Sequence, residues 1–276
     1  MLHRIYLTSM FSRIIILGTG NAQAVNCYNT CFALKKENEY LLVDAGGGNG
    51  ILRILNDKGI SLSSIHNAVI THAHTDHIIG MVWIYRMIAA DMKSGKYRGT
   101  FNIYCHDKSK ETLVAMIKLM LPLKLAAYID NGINFIVVDD GDSVDIMGER
   151  FTFFDIRSTK EKQYGFYFET PRGRFVCLGD EPCAEHEKDI IRKAYFVMHE
   201  AFCLYEDRDT FKPYEKHHST AKEAAQLAKE SGVSNLLLYH TEDKTLSSRK
   251  ERYSAEAAEY FDGNIFVPDD GEEIPL

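Results

Sequence analysis

The chain has 276 residues, of which 45% are hydrophobic and 26% are charged, a composition typical of a globular protein rather than a disordered or fibrous one. Its formal net charge is −7 with the histidines neutral, and no basic stripe is visible, so composition gives no support for strong unaided nucleic-acid binding. No window predicts a membrane span, and the N-terminus lacks the continuous apolar stretch of a signal peptide. We therefore expect a cytoplasmic protein.

The first half of the chain alternates strand-like runs with helical patterns. Strands are predicted at RIIIL (13–17), in the hairpin pair TCFALKK and YLLVDAG, and at NAVIT (67–71). Apolar residues recur at helical spacing in GILRILNDKG and from Asp76 through DHIIGMVWIYRMIAADMKSG. This alternation favours an α/β protein.

The second half repeats the theme, with helices predicted at KSKETLVAMIKLM and STAKEAAQLAKESG. The predicted strands are FNIYC, INFIVV, RFTFFDI, YGFYFET, RFVCLGD, AYFVMHEAF, SNLLLYH and NIFVP. Because no low-complexity linker interrupts the pattern, we expect a single domain over 1–276, with residues 1–11 as a loose N-terminal extension. The strand count is too high for a simple doubly wound sheet, so the pattern favours a four-layer α/β/β/α sandwich of two mixed β-sheets.

The cysteines contain no Cys-x-x-Cys pair. They are Cys27, Cys31, Cys105, Cys177, Cys183 and Cys203. We expect free buried thiols in a reducing compartment, and Cys27 with Cys31 as metal ligands is the weaker alternative.

The segment ITHAHTDHIIG, residues 70–80, crowds three histidines and an aspartate directly after an apolar strand. Such crowding costs desolvation energy and mutual repulsion unless the side chains bind something. His72 and His74 alternate along an extended segment and so point the same way. Asp76 and His77 fall at a helix start, where free N–H groups favour a carboxylate. Imidazole with carboxylate predicts a site for zinc, iron or manganese rather than calcium, and a satisfied polar turn is the alternative.

Further segments place polar residues at the ends of predicted strands or, for HST, at the start of a predicted helix. They are LGTGNA, LLVDAG, FVCLGD ending in Asp180, HEAF at 199–202, HST at 218–220, and LLLYH ending in His240. Together with THAHTDHIIG, these segments resemble the motifs of the metallo-β-lactamase-fold hydrolases, and HEA and HST resemble those of the ribonuclease Z-like branch. The resemblance covers nearly the whole chain, and it implies the same four-layer fold that the element pattern favours.

The resemblance implies a centre of one or two divalent metal ions, zinc first, with manganese or iron as alternatives. The implied ligands are His72 and His74 for one ion, Asp76, His77 and His240 for the other, and Asp180 as the bridge. All six follow predicted strands or begin a helix, and such ends gather at one edge of a sheet, where sites form from distant segments.

The resemblance also assigns catalytic roles to His218, Glu200 and the ligand Asp76. His218 would contact the leaving group or the phosphate, and Glu200 would orient it. The alternatives are a helix-cap neighbour without chemistry for His218 and a buried carboxylate neutralised by a lysine for Glu200. Asp44, at the end of LLVDAG, is expected either to hold a ligand histidine in its tautomer or to cap a turn.

One departure from the family pattern concerns the first metal ion. The family places a further histidine between the motif helix and the bridging aspartate, and the stretch FFDIRSTKEKQYGF has none. Arg157 or Ser158 lies about where that histidine is expected. Water or substrate could complete this site, Lys160 or Arg157 could replace a metal charge, or the ion could be held weakly. We therefore expect the second site to be the firmer one.

These observations predict a metal-dependent hydrolase, a phosphodiesterase that uses a metal-activated water. Ribonuclease Z enzymes carry a long arm that grips tRNA, but the short stretch between Gly165 and Asp180 leaves no room for one there. With the acidic net charge, this favours a small phosphodiester or a short nucleic acid as substrate. The alternatives are an ester, lactone or thioester hydrolase and a catalytically weakened metal-binding protein. Many proteins of this fold pair up, which is the one reason to expect a homodimer.

Overall fold

The computed structural model describes residues 10–276, which form two seven-stranded sheets with helices outside. The strands are β1 (Arg13–Gly18), β2 (Cys31–Lys36), β3 (Glu39–Val43), β4 (Ile65–Ile70), β5 (Phe101–Cys105), β6 (Ile133–Val137), β7 (Ser143–Ile146), β8 (Glu149–Asp155), β9 (Tyr164–Thr170), β10 (Gly173–Cys177), β11 (Phe196–Glu200), β12 (Asn235–Tyr239), β13 (Asn264–Phe266) and β14 (Glu273–Pro275). One sheet has the order β14-β1-β2-β3-β4-β5-β6, and the other has the order β13-β12-β11-β10-β9-β8-β7.

The helices cover the outer faces of both sheets. They are α1 (Gly50–Asp57), α2 (Thr75–Ser94), α3 (Asp107–Met120), α4 (Leu123–Ala126), α5 (Lys188–Ile191), α6 (Arg208–Phe211), α7 (Ala221–Glu230) and α8 (Leu246–Ala258). Buried residues of α1 to α4 share one core with the first sheet, and those of α5, α7 and α8 share another with the second sheet. The predicted α/β/β/α sandwich of two mixed sheets is therefore confirmed.

A third core fills the space between the sheets, and aromatic rings dominate it. Phe175 lies at its centre, with ring centroids 4.8 Å from Phe168 and 5.6 Å from Phe196. Phe11 also packs here, 5.4 Å from Phe168, and is 5% exposed. Of the expected N-terminal extension, residues 1–9 lie outside the described part of the chain. Each fully buried phenyl ring contributes about 2–3 kcal/mol, which holds the two sheets face to face.

Parallel strands in each sheet end at one common edge. β3, β4, β5 and β6 pair in parallel in the first sheet, and β10, β11, β12 and β13 do so in the second. The carboxyl ends of parallel strands are where α/β proteins gather their functional side chains. Within residues 10–276, no helix is both long and apolar enough to cross a membrane.

Gly80 brings α2 into backbone contact with the loop after β3. The Gly80 amide donates to Gly46 O at 2.8 Å, and the Ala45 amide donates to His77 O at 2.9 Å. A Cβ on residue 80 would lie only 1.8 Å from Ala45 O. Only glycine fits here, and the contact fixes the first turn of α2 against the first sheet.

We expect Gly80→Ala to destabilise the protein by about 3 kcal/mol, because the added methyl would force α2 off the backbone of the loop. Gly48→Ala is the matched control, since a Cβ there meets nothing within 4 Å. It should change the free energy of unfolding by less than about 1 kcal/mol. Urea unfolding followed by circular dichroism measures both, and equal stabilities of the two variants would contradict this packing.

Candidate metal centre

Six polar side chains from four segments meet at the shared edge of the sheets. They are His72 and His74 after β4, Asp76 and His77 in the first turn of α2, Asp180 after β10, and His240 after β12. Five of them are between 0% and 4% exposed, whereas His74 is partly exposed. The structure therefore brings together all six residues that the resemblance implied as ligands, and the alternative pair Cys27 and Cys31 is not among them.

Asp44 fixes the orientation of His77. Its Oδ2 accepts a hydrogen bond from His77 Nδ1 at 2.7 Å, and its carboxylate also accepts bonds from the amide and hydroxyl of Thr71 at 2.9 and 2.7 Å. A carboxylate only accepts, so His77 Nδ1 carries a proton, and in the neutral imidazole, the form that can bind a cation, the free lone pair lies on Nε2. Asp44 thus has the tautomer-holding position expected for it, one common behind metal-binding histidines.

Four of the side chains form what we call the main cluster: Asp76, His77, Asp180 and His240. The Oδ2 atoms of its two carboxylates lie 3.3 and 3.4 Å from His240 Nε2 and 3.4 and 3.6 Å from His77 Nε2. His77 Nε2 is fully buried and has no hydrogen-bond partner among residues 10–276. An orphaned lone pair that faces two carboxylates and an imidazole fits a divalent transition cation.

Burial and neighbouring charges shift the pKa values of these groups. Burial alone would lower the pKa of His77, but the carboxylates beside it, Asp76 first, raise it well above its ordinary value. Burial alone would raise the pKa of Asp180, but His72 holds it well below its usual range. Burial, the largest cause, lowers the pKa of His74 to about 4. The cluster therefore concentrates ionised carboxylates that need positive charge nearby.

No sequence pattern indicated Gln163, although it lies beside His72, on the side of the centre where the first metal ion was expected. We call this the first-metal side. It is 1% exposed, its Nε2 is 2.9 Å from His72 Nδ1, and the same nitrogen donates to Asp180 Oδ1. Arg157 is exposed, and Ser158 donates to Glu181. A lone glutamine before a strand carries no sequence signal that would have singled it out.

His218 and Glu200 lie side by side next to the main cluster. Glu200, the last residue of β11, is fully buried, and its Oε2 is 3.6 Å from His218 Nδ1. Its other oxygen accepts from the Ser219 amide, while Thr220 caps α7. The imidazole of His218 stacks on Phe202 with centroids 4.8 Å apart and an interplanar angle of 10°. The two side chains are held in a single arrangement.

A cavity of about 270 Å³ opens over the centre. It is lined by Asn21, Ala22, Gln23, His74, Asp76, Lys160, Asp180, Phe202, Lys216, His218 and His240. Lys160 donates to the backbone oxygen of Lys216 at 3.0 Å and lies 3.3 Å from Glu181, and the Lys216 ammonium lies 4.7 Å from the Phe202 ring centroid. Two cationic side chains therefore rim a small cavity whose floor is anionic.

The family model described as Anti-Pycsar protein Apyc1 matches residues 12–261. The chain belongs to this family. Among curated relatives, a Ribonuclease Z from Thermococcus sibiricus is 25% identical, over 95% of this chain and 96% of that protein. Among solved structures, the metallo-β-lactamase fold protein YhfI from Bacillus subtilis has a TM-score of 0.77 at 18% identity, with 96% of this chain and 99% of that one covered. A diphosphatase from the PhnP family has a TM-score of 0.72 at 14% identity, with 97% and 98% covered.

These findings confirm the resemblance that the sequence motifs indicated. The chain has the metallo-β-lactamase fold and is related to the ribonucleases Z. It is a hydrolase, as the ribonuclease Z and the diphosphatase are. Two overlapping clusters, His72 with His77 and Asp180, and Asp76 with His77 and His240, each bring candidate ligand atoms within 4.8 Å of one another. Such clusters suit divalent metal ions.

We expect Asp44→Asn to weaken binding of a divalent cation by about 10- to 100-fold, because the amide no longer enforces a proton on His77 Nδ1. Asp57→Asn is the matched control, since Asp57 is exposed on α1. Competition with a fluorescent zinc chelator measures both affinities. Equal zinc affinity in the two variants would contradict the role given to Asp44.

Proposed function

We propose that the chain is a metal-dependent phosphodiesterase that hydrolyses a small phosphodiester. The observation that carries this proposal is the convergence of the main cluster, with its unpartnered imidazole nitrogen, beside the paired His218 and Glu200 in one cavity. A cation site, a proton-carrying imidazole and cationic rim groups are together what cleavage of a P–O bond requires.

The main cluster would hold a divalent cation, and zinc is our first expectation, with manganese or iron as alternatives. When bound, such a cation supplies a water nucleophile at neutral pH and charge stabilisation for phosphoryl oxygens. The contribution of the chain is orientation. Asp44 keeps the lone pair of His77 facing the cluster, and the first turn of α2 holds Asp76 at a helix N-terminus, where a carboxylate is favoured.

His218 is the residue that we expect to protonate the leaving oxygen. It lines the cavity, and the Glu200 carboxylate lies 3.6 Å from its Nδ1, on the side where a carboxylate orients a general acid. Stacking on Phe202 keeps the ring from rotating away. Lys160 and Lys216 at the rim supply positive charge for a phosphate oxygen that the cation does not contact.

Three features favour a small substrate over a folded RNA. The cavity measures about 270 Å³, near the lower end of ordinary small-molecule sites. β9 and β10 are joined by the tight turn at Pro171 and Arg172, so no arm protrudes between residues 164 and 177. The net charge is −7, which opposes a broad grip on a phosphate backbone. A cyclic mononucleotide or a comparably small diester satisfies all three.

We expect His218→Asn to lower turnover of a 3′,5′-cyclic mononucleotide by about 100-fold or more, with the bound metal unchanged, because the departing ribose oxygen loses its general acid while the main cluster stays intact. Turnover of bis-p-nitrophenyl phosphate should fall much less, because nitrophenolate leaves without a proton. His217→Asn is the matched control, since His217 is the exposed neighbour. It should keep turnover within about twofold of the parent, as surface substitutions usually do. Steady-state kinetics with zinc or manganese, together with metal analysis, provide both readouts.

The wild-type kinetics decide between the competing functions. Failure of the metal-loaded protein to hydrolyse any phosphodiester would contradict the proposal. Turnover confined to nitrophenyl esters would favour a carboxylic-ester hydrolase, and bound metal without any turnover would favour a binding protein.

We expect the protein to hydrolyse 2′,3′- or 3′,5′-cyclic mononucleotides and to leave a precursor tRNA intact, because the cavity and the short β9–β10 turn offer no surface to hold one. Chromatography of nucleotide products and gel analysis of the tRNA, at equal enzyme and metal concentrations, compare the two. Efficient release of a tRNA 3′ trailer with no cyclic-nucleotide turnover would contradict the proposal of a small substrate.

A further inference from the structure

Gln163 occupies the space beside the first-metal side of the centre. It immediately precedes β9, and its backbone pairs with that of His72 in an isolated antiparallel bridge. The side chain is 1% exposed and packs on Gly179, where a Cβ would lie 3.3 Å from the amide carbon. This close packing leaves the amide little freedom to turn.

The contacts of Gln163 fix which way its amide faces. One atom of the amide contacts both Asp180 Oδ1 and His72 Nδ1. Because an ionised carboxylate only accepts hydrogen bonds, this atom must be the NH₂ nitrogen, and it has one proton for each partner. The second proton makes His72 Nδ1 an acceptor.

The proton of His72 then lies on Nε2, the nitrogen that faces the centre. His72 Nε2 is 2.9 Å from His74 Nδ1 and 3.5 Å from Asp180 Oδ2, so it has acceptors for that proton. Thr71 Oγ1 also lies 3.0 Å from His72 Nδ1, but its hydroxyl proton is donated to Asp44 Oδ2, so the Gln163 amide is the donor to this nitrogen. A histidine in this tautomer offers no Nε2 lone pair to a cation.

His77 has a different hydrogen-bond partner at Nδ1, and this partner places the ring proton on the other nitrogen. Behind His77 lies a carboxylate, Asp44, which keeps the proton on Nδ1 and frees Nε2. Behind His72 lies a carboxamide that donates, and it also occupies Asp180 Oδ1. Asp180 therefore has only Oδ2 left to face the main cluster.

We propose that Gln163 replaces a second metal ion, so that each chain binds one divalent cation tightly, at the main cluster, while His72 and His74 form a hydrogen-bonded wall beside it. The inference rests on the metal centre of the proposed function. It specifies the stoichiometry of that centre and assigns Gln163 as a positioning residue.

Gln163→Glu tests the proposal with a near-isosteric side chain. The new carboxylate would accept from His72 Nδ1, free its Nε2 and add a negative charge against Asp180, so a second cation becomes favourable. Metal is counted per chain by mass spectrometry after equilibrium dialysis at buffered free Mn²⁺. We expect one equivalent in the wild type and close to two in Gln163→Glu. Gln23→Glu is the matched control, because Gln23 lines the same cavity without contacting His72, and it should stay at one.

Electron paramagnetic resonance of the Mn²⁺-loaded proteins gives a readout that is independent of turnover. The wild type should show the six-line signal of isolated ions, and Gln163→Glu the broadened spectrum of a coupled pair. Gln163→His, which supplies an imidazole ligand instead of a carboxylate, should also take up a second ion. His72→Ala should keep the single tight ion, whereas His240→Ala should lose it.

Two equally tight ions in the wild type would overturn the proposal, as would a single ion in both Gln163→Glu and Gln163→His. Loss of the tight ion in His72→Ala would overturn it as well. A wild type that holds one ion but hydrolyses no phosphodiester would contradict the proposed function and leave this inference in place.

Discussion

The burial of several ionised carboxylates at one sheet edge is the constraint on which the rest of the structure depends. Asp44, Asp76 and Asp180 are each 4% exposed or less, and each faces imidazole nitrogen rather than water. Isolated buried charges of this kind would cost several kcal/mol apiece. Pairing and hydrogen bonding offset this cost. The four segments that carry the partners must therefore be held in fixed positions relative to one another.

Backbone contacts, more than long side chains, hold these four segments in place. The parallel strands of both sheets end at the same edge, so a ligand that directly follows its strand lies at that edge. Gly80 lets the first turn of α2 touch the loop after β3, which aligns His77 with Asp44. The phenylalanine core between the sheets holds the two edges at constant separation, and a shift there would separate Asp180 from His77.

Much of this was predictable because it depends on local pattern. Alternating apolar runs located most strands. The crowded segment after one strand indicated the ligands between His72 and His77, whereas Asp180 and His240 were implied by the family resemblance. The elements that were missed are α4, α5, α6, α8, β7 and β14. All but α8 have only three or four residues, and α8 is strongly polar. The place of Gln163 could not be predicted, because its role comes from tertiary contacts with residues 17 and 91 positions away in the chain. The comparison with the family pattern indicated a missing histidine, but not which side chain fills its space.

The two lysines at the mouth of the cavity have a consequence for the reaction cycle. A phosphodiester carries one negative charge, while the monoester that its hydrolysis leaves carries nearly two at neutral pH. Lys160 and Lys216 would therefore attract the product more strongly than the starting compound. Product release, rather than bond cleavage, would then be the rate-limiting step. Raised ionic strength would speed product release.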